Sequence, residues 1–333
     1  MEWNVLGHEW AAGLLSQHIA RGEVRHAYLF SGPAGVGRRT LALRFAQAIN
    51  CQNPPLPGEP CGICRSCKQL ERMQQADLTV VQSAVEGTDL KVDAVRDLQR
   101  SLSLSPYESH YRIALLLRFQ EATDSAQNAL LKTLEEAPAK AILLLTADSA
   151  ESLLPTIASR CENLRLRPLP VPTLTHALQT RWGLPPDEAD LLAHISGGRV
   201  GLALRLHGAP KRLEQRRAWL EDLATLLGET RLARFAYAEA KTRAKDRETS
   251  KAALREAYSL WLTYWRDVLL CLGGADIPWT NPDFADSIRT TASAVDEAFA
   301  CQQIRALETS LAHLNNANLQ LQMENLLLND LRL

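Results

Sequence analysis

Short apolar runs alternate with longer amphipathic stretches through the first half of the chain. The apolar runs predict five strands, at Ala27 to Ser31, Leu78 to Gln82, Arg112 to Leu117, Ala141 to Thr146 and Asn163 to Leu166. Apolar residues spaced by three and four positions predict three helices between them, at Arg39 to Ile49, Val92 to Leu102 and Asp124 to Glu136. Because strands that alternate with helices are typical of a parallel sheet flanked by helices, we predict an α/β fold for this half.

The second half of the chain has a different pattern, which predicts helices almost throughout. The segment RPLPVP, Arg167 to Pro172, contains three prolines, which disfavour helix and favour a stiff extended linker. The pattern that follows is helical but short and interrupted by glycines, which predicts a segment too small to stand alone, and nearly every later stretch is compatible with helix. We therefore predict three domains, over residues 1–168, 169–207 and 208–333.

The final helical segment carries a wide apolar stripe that must be covered in the folded protein. It packs either into the core of its own domain, which is the usual fate of such a stripe, or against another subunit. The stripe consists of the leucines at positions 314, 319, 321, 326, 327 and 328.

Charge and composition exclude several classes of function. The 37 basic and 38 acidic residues give a net charge of −1, which does not suit a protein that grips a phosphate backbone over its whole surface. Glu2 and Glu9 stand where a signal peptide carries positive charge, and no apolar run is long enough to span a bilayer. We therefore expect a soluble cytoplasmic protein that meets DNA locally or through partners.

Four of the seven cysteines lie close together in the sequence. Cys51 is followed, after a proline-rich loop, by the run Cys61, Cys64 and Cys67. Four thiolates at this spacing suit a tetrahedral zinc ion without a vacant position, which is a structural rather than a catalytic site. An iron–sulfur cluster, a redox pair and chance clustering are the alternatives. The other cysteines are isolated and are expected to be small buried side chains, at positions 161, 271 and 301.

A glycine loop joins the first predicted strand to the first predicted helix. Gly32, Gly35 and Gly37 fit the first part of the phosphate-loop pattern GxxxxGK[ST]. That pattern needs glycines because they make tight turns and let backbone N–H groups cradle a phosphate at the start of a helix. The loop therefore predicts either a phosphate-binding site or a structural turn of the same shape.

The residues after the last glycine depart from the phosphate-loop pattern. Arg38 replaces the lysine, and its planar guanidinium lacks the compact ammonium that reaches between the β- and γ-phosphates. Arg39 replaces the residue whose hydroxyl binds magnesium, and Thr40 comes one position late. A nucleotide in this loop would therefore lack its metal contact, so we do not expect Mg²⁺, and nucleotide binding without turnover stays open.

The second magnesium contact of such ATPases is also missing. The third predicted strand, RIALLL, continues into Arg118 and Phe119 instead of the acidic residues that hold magnesium and orient the attacking water. Glu121 is the nearest acid, and it lies too far beyond Leu117 to substitute if a helix begins near Asp124. We therefore predict that the chain does not hydrolyse ATP by itself.

Several segments together resemble one known family. NALLKTLEEAP, Asn128 to Pro138, and TIASRC, Thr156 to Cys161, closely resemble the AAA+ clamp-loader subunits of bacterial DNA polymerase III. HAYLFSGPAGVG, His26 to Gly37, and the four-cysteine insertion are similar to the same family, and the resemblance covers about the first 205 residues. It implies an AAA+ P-loop domain, a small helical lid and an all-α C-terminal collar domain that holds the subunits in a ring.

Within that family, the chain resembles subunits whose ATP site is eroded. Alignment on Asn128 puts Leu117 and Arg118 where the motor subunits carry Asp and Glu. The nucleotide-sensing arginine of the motors is replaced by Gly201. Arg199, two positions away on a predicted helix, would face a different direction.

The Ser-Arg-Cys motif is intact, and in the family its arginine reaches into the ATP site of the adjacent subunit. The resemblance implies that Arg160 stabilises charge on a neighbour's γ-phosphate, and the alternative is that Arg160 only caps the preceding helix. Val5 to His8 resemble the segment that lines the adenine pocket, where we expect His8 to be structural. The implied partners are gamma/tau-type motor subunits, a delta subunit, a sliding clamp and primed DNA, with no membrane.

Two further functions compete with that of a non-hydrolysing subunit. The chain could be an active motor of the same clamp loader, or a related AAA+ remodeller, that works with unusual loop residues. It could instead be a scaffold without any part in a neighbour's chemistry. The missing hydroxyl and carboxylates speak against an active motor, and the retained Arg160 speaks against a pure scaffold.

Overall fold

The computed structural model of the chain describes residues 3–85, 87–243, 247–314 and 318–330. Five strands are present, and each begins and ends within one residue of its prediction. They are β1 (Ala27–Ser31), β2 (Leu78–Val81), β3 (Arg112–Leu116), β4 (Ala141–Ala147) and β5 (Glu162–Arg165). All pair in parallel, in the order β2-β3-β4-β1-β5, which confirms the predicted α/β fold.

Helices cover both faces of the sheet, and β1, β3 and β4 are therefore buried along their whole length. Tyr28 and Phe30 pack into the core on one face, while Ala27 and Leu29 pack into the core on the other. Successive strand residues point to opposite sides of a sheet, so both sets must be apolar. This is why the strands appear in the sequence as continuous apolar runs without polar alternation.

The three helices predicted between the strands are present, and three more lie in segments for which the pattern predicts none. The helices are α1 (Glu9–Arg21), α2 (Arg38–Ile49), α3 (Arg65–Glu71), α4 (Val92–Leu102), α5 (Asp124–Glu135) and α6 (Pro155–Ala158). A 3₁₀ helix, Phe119–Glu121, precedes α5. These elements place the glycine loop, the end of β3 and the Ser-Arg-Cys motif on one parallel sheet.

The second half of the described chain is helical, as predicted. Its α-helices are α7 (Val171–Trp182), α8 (Pro186–Ile195), α9 (Val200–His207), α10 (Pro210–Gly228), α11 (Arg231–Thr242), α12 (Arg247–Leu272), α13 (Ala285–Ala294), α14 (Glu297–His313) and α15 (Leu319–Asn325). A 3₁₀ helix, Pro282–Phe284, precedes α13, and a π-helix, Leu326–Asp330, follows α15. Among the helices in the described ranges, none is long and apolar enough to cross a membrane.

The prediction of an extended linker through Pro172 is wrong at its end. α7 begins at Val171, with Pro170 at its N-cap and Pro172 in its first turn. Proline is tolerated there because the first backbone N–H groups of a helix have no acceptor within the helix, and the fixed φ of proline suits the helix. The extended part of the segment therefore ends at Pro170.

The chain divides into two compact units. The first comprises Met1–Leu169 together with Arg199–Leu202, and the second comprises Pro170–Gly198 together with Ala203–Leu333. The predicted lid and collar residues are thus grouped in one unit, apart from Leu169 and Arg199–Leu202, which belong to the first. The separation of this unit into a lid and a collar domain stays a prediction.

The second unit has its own apolar core, which is centred on α12. Tyr258, Trp261 and Trp265 of that helix are fully buried. Most of the C-terminal leucine stripe joins this core, as the first of the two interpretations expects, while Leu321 is exposed. The buried leucines of the stripe are at positions 314, 319, 326 and 327.

Candidate functional site

The glycine loop joins β1 to α2, and its backbone takes up conformations that favour glycine. The φ angles are +146° at Gly32, +86° at Gly35 and +119° at Gly37, a region in which other residues are strained. A Cβ atom on Gly32 would also stand 2.4 Å from the carbonyl oxygen of Leu166. The loop therefore has the strand–loop–helix context of a phosphate-binding loop, with Gly37 at the N-cap of α2.

Arg38, at the lysine position of the loop, forms an ion pair within the chain. Its side chain is only 8% exposed, and its Nη1 donates to Oδ1 of Asp148 at 2.8 Å. Asp148 directly follows β4, and its second oxygen accepts a hydrogen bond from Gln120 at 3.1 Å. A carboxylate of the same chain thus neutralises the guanidinium, whereas Arg39 and Thr40 are exposed on α2.

Gly201, near the start of α9, lies against the glycine loop. Its N–H donates to the carbonyl oxygen of Gly35 at 2.8 Å, and a Cβ atom on Gly201 would stand 2.9 Å from that oxygen. Residue 201 therefore cannot carry a side chain unless the helix or the loop shifts. α9 begins at Val200, so Arg199 precedes the helix and does not lie on it as predicted.

An arginine follows β3 where an ATPase of this type needs carboxylates. Leu117 is buried, and Arg118 has a φ of +50°, which is uncommon for a residue with a side chain. Nε of Arg118 donates to both carboxylate oxygens of Glu121, at 3.0 and 3.1 Å. Its Nη2 donates to Oγ of Ser83 at 3.1 Å. The two opposite charges therefore neutralise each other beside the strand end.

Glu121, the acid nearest to the strand end, is also bound by other protein groups. It accepts the backbone N–H of Gly87 at 2.9 Å and the hydroxyl of Ser83, and its side chain is only 12% exposed. Sequence reasoning excluded Glu121 by its distance along the chain and missed that Arg118 is its partner. The available signal was the three-residue spacing of opposite charges in a segment with turn character.

The segment before α1 supports the glycine loop. His8 is buried, and its Nε2 lies 2.9 Å from the carbonyl oxygen of Val36. Because a carbonyl oxygen only accepts, Nε2 carries the proton and donates it to this bond. Val5 is buried as well, in the core on the same face as α2. His8 therefore has a structural contact within the loop's own unit.

Arg160 lies between α6 and β5, at the end of the sheet where the strands begin, whereas the glycine loop lies where β1 ends. β5 runs parallel to β1, and Arg160 precedes Glu162, which pairs with Tyr28 near the start of β1. Its Nη1 donates to the carbonyl oxygen of Thr156 at 2.9 Å, and its Nη2 donates to Oε1 of Glu135 at 2.7 Å. The first contact is the helix-end contact of the alternative interpretation. The side chain is nevertheless 37% exposed.

The four clustered cysteines converge in space. Their sulfur atoms all lie within 4.8 Å of one another, and those of Cys61 and Cys67 are 4.0 Å apart. The N–H groups of Cys61, Cys64 and Cys67 donate to the sulfurs of Cys51, Cys61 and Cys64, at 3.3, 3.3 and 3.4 Å. Sulfurs bound to zinc at about 2.3 Å in a tetrahedron stand about 3.8 Å apart, so the cluster fits this ion.

The surroundings of the thiols affect their ionisation in different ways. Burial favours the neutral form of Cys61, but the N–H groups of Cys64 and Ile63 outweigh it and lower the pKa of Cys61 to about 6. Burial raises the pKa of Cys67 and, less strongly, that of Cys51. The isolated cysteines, at positions 161, 271 and 301, are partly exposed rather than buried as predicted.

The cysteine loop packs against the N-terminal segment and α1. Nε1 of Trp3 donates to the carbonyl oxygen of Gly58 at 3.0 Å, and the Trp3 ring stacks on Phe45 with centroids 6.3 Å apart. Gly58 has a φ of +85°, and a Cβ atom there would stand 2.5 Å from the carbonyl oxygen of Ser16. The loop is therefore part of the folded unit and not a freely projecting insertion.

Asp77, a buried carboxylate that sequence reasoning missed, organises the loop before β3. It accepts the backbone N–H groups of Tyr107, Glu108 and Ser109 at 2.7 to 2.9 Å, and Nη2 of Arg112 lies 3.3 Å away. Burial pushes the pKa of Asp77 upward, but these backbone donors outweigh burial and bring the pKa below its ordinary value. This carboxylate is therefore a structural anchor.

Comparisons with known proteins agree on one family. A family model described as "DNA polymerase III, delta subunit" matches residues 7–170. The delta′ subunit of DNA polymerase III from Bacillus subtilis is 30% identical over 318 residues, which are 95% of this chain and 93% of that protein. The delta′ subunit from Pseudomonas aeruginosa is 36% identical over 223 residues, 66% of each chain.

The chain is also similar to longer proteins of the same polymerase. The tau subunit of DNA polymerase III from Salmonella typhimurium is 34% identical over 176 residues, which are 53% of this chain and 27% of that protein. The chain thus spans about a quarter of this tau protein and about two thirds of the Pseudomonas relative.

Proposed function

The chain belongs to the delta-prime family of DNA polymerase III clamp-loader subunits, and from that premise we propose that it helps to load the sliding clamp on primed DNA without hydrolysing ATP. In this proposal, Arg160 acts in trans, at the ATP site of a neighbouring motor subunit. Membership of the DNA polymerase III holoenzyme follows from the family. We propose in addition that this chain's own ATP site is inactive and that its Arg160 serves the ATP site of the neighbour.

The observation that carries the proposal is that the arginines at the chain's own ATP-site positions form ion pairs with carboxylates of the same chain. Arg38 is bound to Asp148, and Arg118 is bound to Glu121. A magnesium ion needs hydroxyl and carboxylate oxygens, and the nearest carboxylate to the end of β3 is bound by an arginine. These pairs support a site in which a nucleotide is not turned over.

Arg160 is supported as the catalytic arginine by its position and its exposure. It follows α6 at the end of the sheet where the strands begin, opposite to the end that carries the glycine loop, and part of its side chain is accessible. A guanidinium that reaches a γ-phosphate in another subunit stabilises the charge that develops during phosphoryl transfer. In this proposal ATP is hydrolysed in the neighbouring subunit. The glycine loop of this chain then needs to keep its backbone conformation but not its catalytic residues.

The cysteine cluster is proposed to hold one structural zinc ion. The ligands are the thiolates of Cys51, Cys61, Cys64 and Cys67, whose spacing and N–H···S bonds suit such a site. Zinc bound by four cysteines has no vacant position, and it supplies a cross-link rather than a reaction. In this chain, the cross-link joins the end of α2 to the start of α3.

The proposed partners follow from the family. They are motor subunits of the gamma/tau type and a delta subunit in a ring, and through that ring the sliding clamp and primed DNA. We propose that residues 208–333 form the collar that joins the subunits and that residues 169–207 form the lid. The proposed location is the cytoplasm, where such an assembly replicates DNA.

Two variants of the chain in a reconstituted clamp loader test the division of labour. Thr40→Ala removes the hydroxyl of the loop segment Gly32 to Thr40 and should leave the DNA-stimulated ATPase rate unchanged, because in this proposal the chain's own site does not turn over. Arg160→Ala should lower that rate by at least the share of one ATP site. The rate is measured at saturating ATP with primed DNA and the clamp.

Arg217→Ala is the matched control, because Arg217 is also an exposed arginine in an ion pair, with Glu221 at 2.9 Å. It should behave like the unmodified chain once gel filtration has shown an intact complex. A rate that falls with Thr40→Ala and not with Arg160→Ala would mean that the chain is a motor subunit. Unchanged rates for both variants would mean that it is a scaffold.

A further inference from the structure

Glu135 holds the guanidinium of Arg160 from one side, and a backbone carbonyl holds it from the other. Nη2 of Arg160 donates to Glu135 and Nη1 donates to Thr156 O, at 2.7 and 2.9 Å. A guanidinium has five N–H donors, so these two contacts leave three for another acceptor. Arg160 can therefore keep both contacts while it presents donors to an anion outside the chain.

The position of Glu135 on its helix is unfavourable for the helix itself. Glu135 is the last residue of α5, where the partial negative charge of the helix end disfavours a carboxylate. The helix is nevertheless well fixed, because Leu130 and Leu134 are buried beneath it in the core of the sheet. The carboxylate of Glu135 does not stabilise its own helix, but the packed helix fixes its position. It is therefore well placed to hold the side chain of Arg160.

From this geometry we infer that Glu135 is a positioning residue, which fixes Arg160 in the orientation that reaches a neighbour's triphosphate. The inference rests on the proposed function of Arg160. A long arginine side chain loses rotamer freedom when it binds, and a side chain that is already held before assembly loses less. Glu135 does not touch the substrate, and its effect passes entirely through Arg160.

The test uses a clamp loader whose motor subunits carry alanine in place of the arginine of their own Ser-Arg-Cys motif. Under the proposed function, DNA-stimulated hydrolysis in that complex depends on Arg160, so a small effect is not masked by other sites. Glu135→Gln keeps the shape and removes the charge. It should lower kcat about two- to fivefold, the size that one exposed ion pair supports, with KM for ATP and complex assembly unchanged.

The neighbouring residue provides the matched control. Glu136 is an exposed glutamate at the same helix end, and in the part of the chain that the structure describes no ion pair joins it to Arg160. Glu136→Gln should therefore leave kcat unchanged. Glu135→Gln should have no further effect when Arg160→Ala is already present, because the two residues act as one unit.

The outcomes separate the inference from the proposed function. If Arg160→Ala leaves the DNA-stimulated rate unchanged, the proposed function is wrong. If Arg160→Ala removes that rate while Glu135→Gln has the kcat of the unmodified complex or a higher one, Arg160 is the catalytic arginine and the inference about Glu135 is wrong. A further loss from Glu135→Gln on top of Arg160→Ala also contradicts it, since the effect would then bypass Arg160.

Discussion

At the scale of single residues, two buried charged side chains in the first unit, Asp77 and Arg38, are bound by specific protein partners. Asp77 is fully buried, and it is bound by three backbone N–H groups and by Arg112. A buried carboxylate without such donors would cost several kcal/mol, so the loop and the carboxylate stabilise each other. The same principle applies to Arg38, which is buried against Asp148.

Asp77→Asn should destabilise the protein at neutral pH by roughly 2–4 kcal/mol, because it removes a buried charge and leaves Arg112 with fewer partners. The folded-state pKa of Asp77 is lowered, so its stabilising effect is present above the unfolded-state pKa, about 4, and is lost as the pH falls through the folded-state value. The difference between the variant and the unmodified chain should therefore shrink below about pH 4. Urea unfolding at several pH values measures it.

Asp89→Asn is the control for this prediction, because Asp89 is an exposed carboxylate in the same unit. It should change the free energy of unfolding by less than about 0.5 kcal/mol at any of these pH values. A destabilisation by Asp77→Asn that stayed constant from pH 7 to pH 3 would contradict the assignment of a lowered pKa.

Motif spacing predicted the glycine loop and the arginines that replace ATPase residues, but it could not predict the partners of those arginines. Arg38 and Arg118 are visible in the sequence as departures from a phosphate-loop ATPase. The partner of Arg38 is Asp148, 110 positions away, and only the parallel pairing of β1 with β4 brings it close. A pair of this kind leaves no local periodicity, whereas Arg118 and Glu121 are three positions apart.

At the scale of elements, the strands were predictable because sheet burial on two faces produces long apolar runs. α3 was missed because it has only seven residues, too few for a periodic pattern and too short to be stable alone. Its N-cap is Cys64, whose sulfur accepts the N–H of Cys67. The helix therefore depends on the cysteine cluster, and α3 should unfold when the cluster is disrupted.

Removal of zinc should unfold the segment 51–71 locally, because the proposed metal joins Cys51 at the end of α2 to the cysteines around α3. Hydrogen exchange should become faster in this segment and around Trp3, which is bonded to Gly58, while β3 and β4 stay protected in the core. Exchange measured by mass spectrometry, with and without a chelator, tests this. About one zinc per chain is expected before chelation.

Cys64→Ser should reproduce the effect of the chelator and lower the zinc content measured by atomic emission. Cys271→Ser is the control, since Cys271 is a partly exposed cysteine outside the cluster, and it should retain the metal. The cluster would not be a zinc site if Cys64→Ser and the unmodified chain held the same amount of metal.

At the scale of the whole molecule, each of the two units has an apolar core of its own. The first unit is built on the sheet, and the second is built around the aromatic residues of α12. The helical character of the second half was predictable from its pattern, but its compact grouping was not. Proline and glycine content suggested boundaries at 168 and 207, whereas packing joins most of the intervening helices to the C-terminal ones.

The second unit should fold when residues 170–333 are produced alone, because its core does not require the sheet. We expect a helical far-UV spectrum, one cooperative thermal transition and a near-UV signal from the buried Trp261 and Trp265. Circular dichroism at both wavelength ranges measures this. A helical fragment without near-UV signal would show that α12 needs the first unit to pack.

The contact between Gly201 and Gly35 determines how the chain could be redesigned as an active motor. The charged residues around the loop can be exchanged one at a time. Gly201 cannot be replaced by arginine on this backbone, because a Cβ atom there would stand 2.9 Å from the carbonyl oxygen of Gly35. The first turn of α9 would have to be lifted away from the loop beforehand. The conversion would therefore begin with a new backbone path, and side-chain exchanges would follow it.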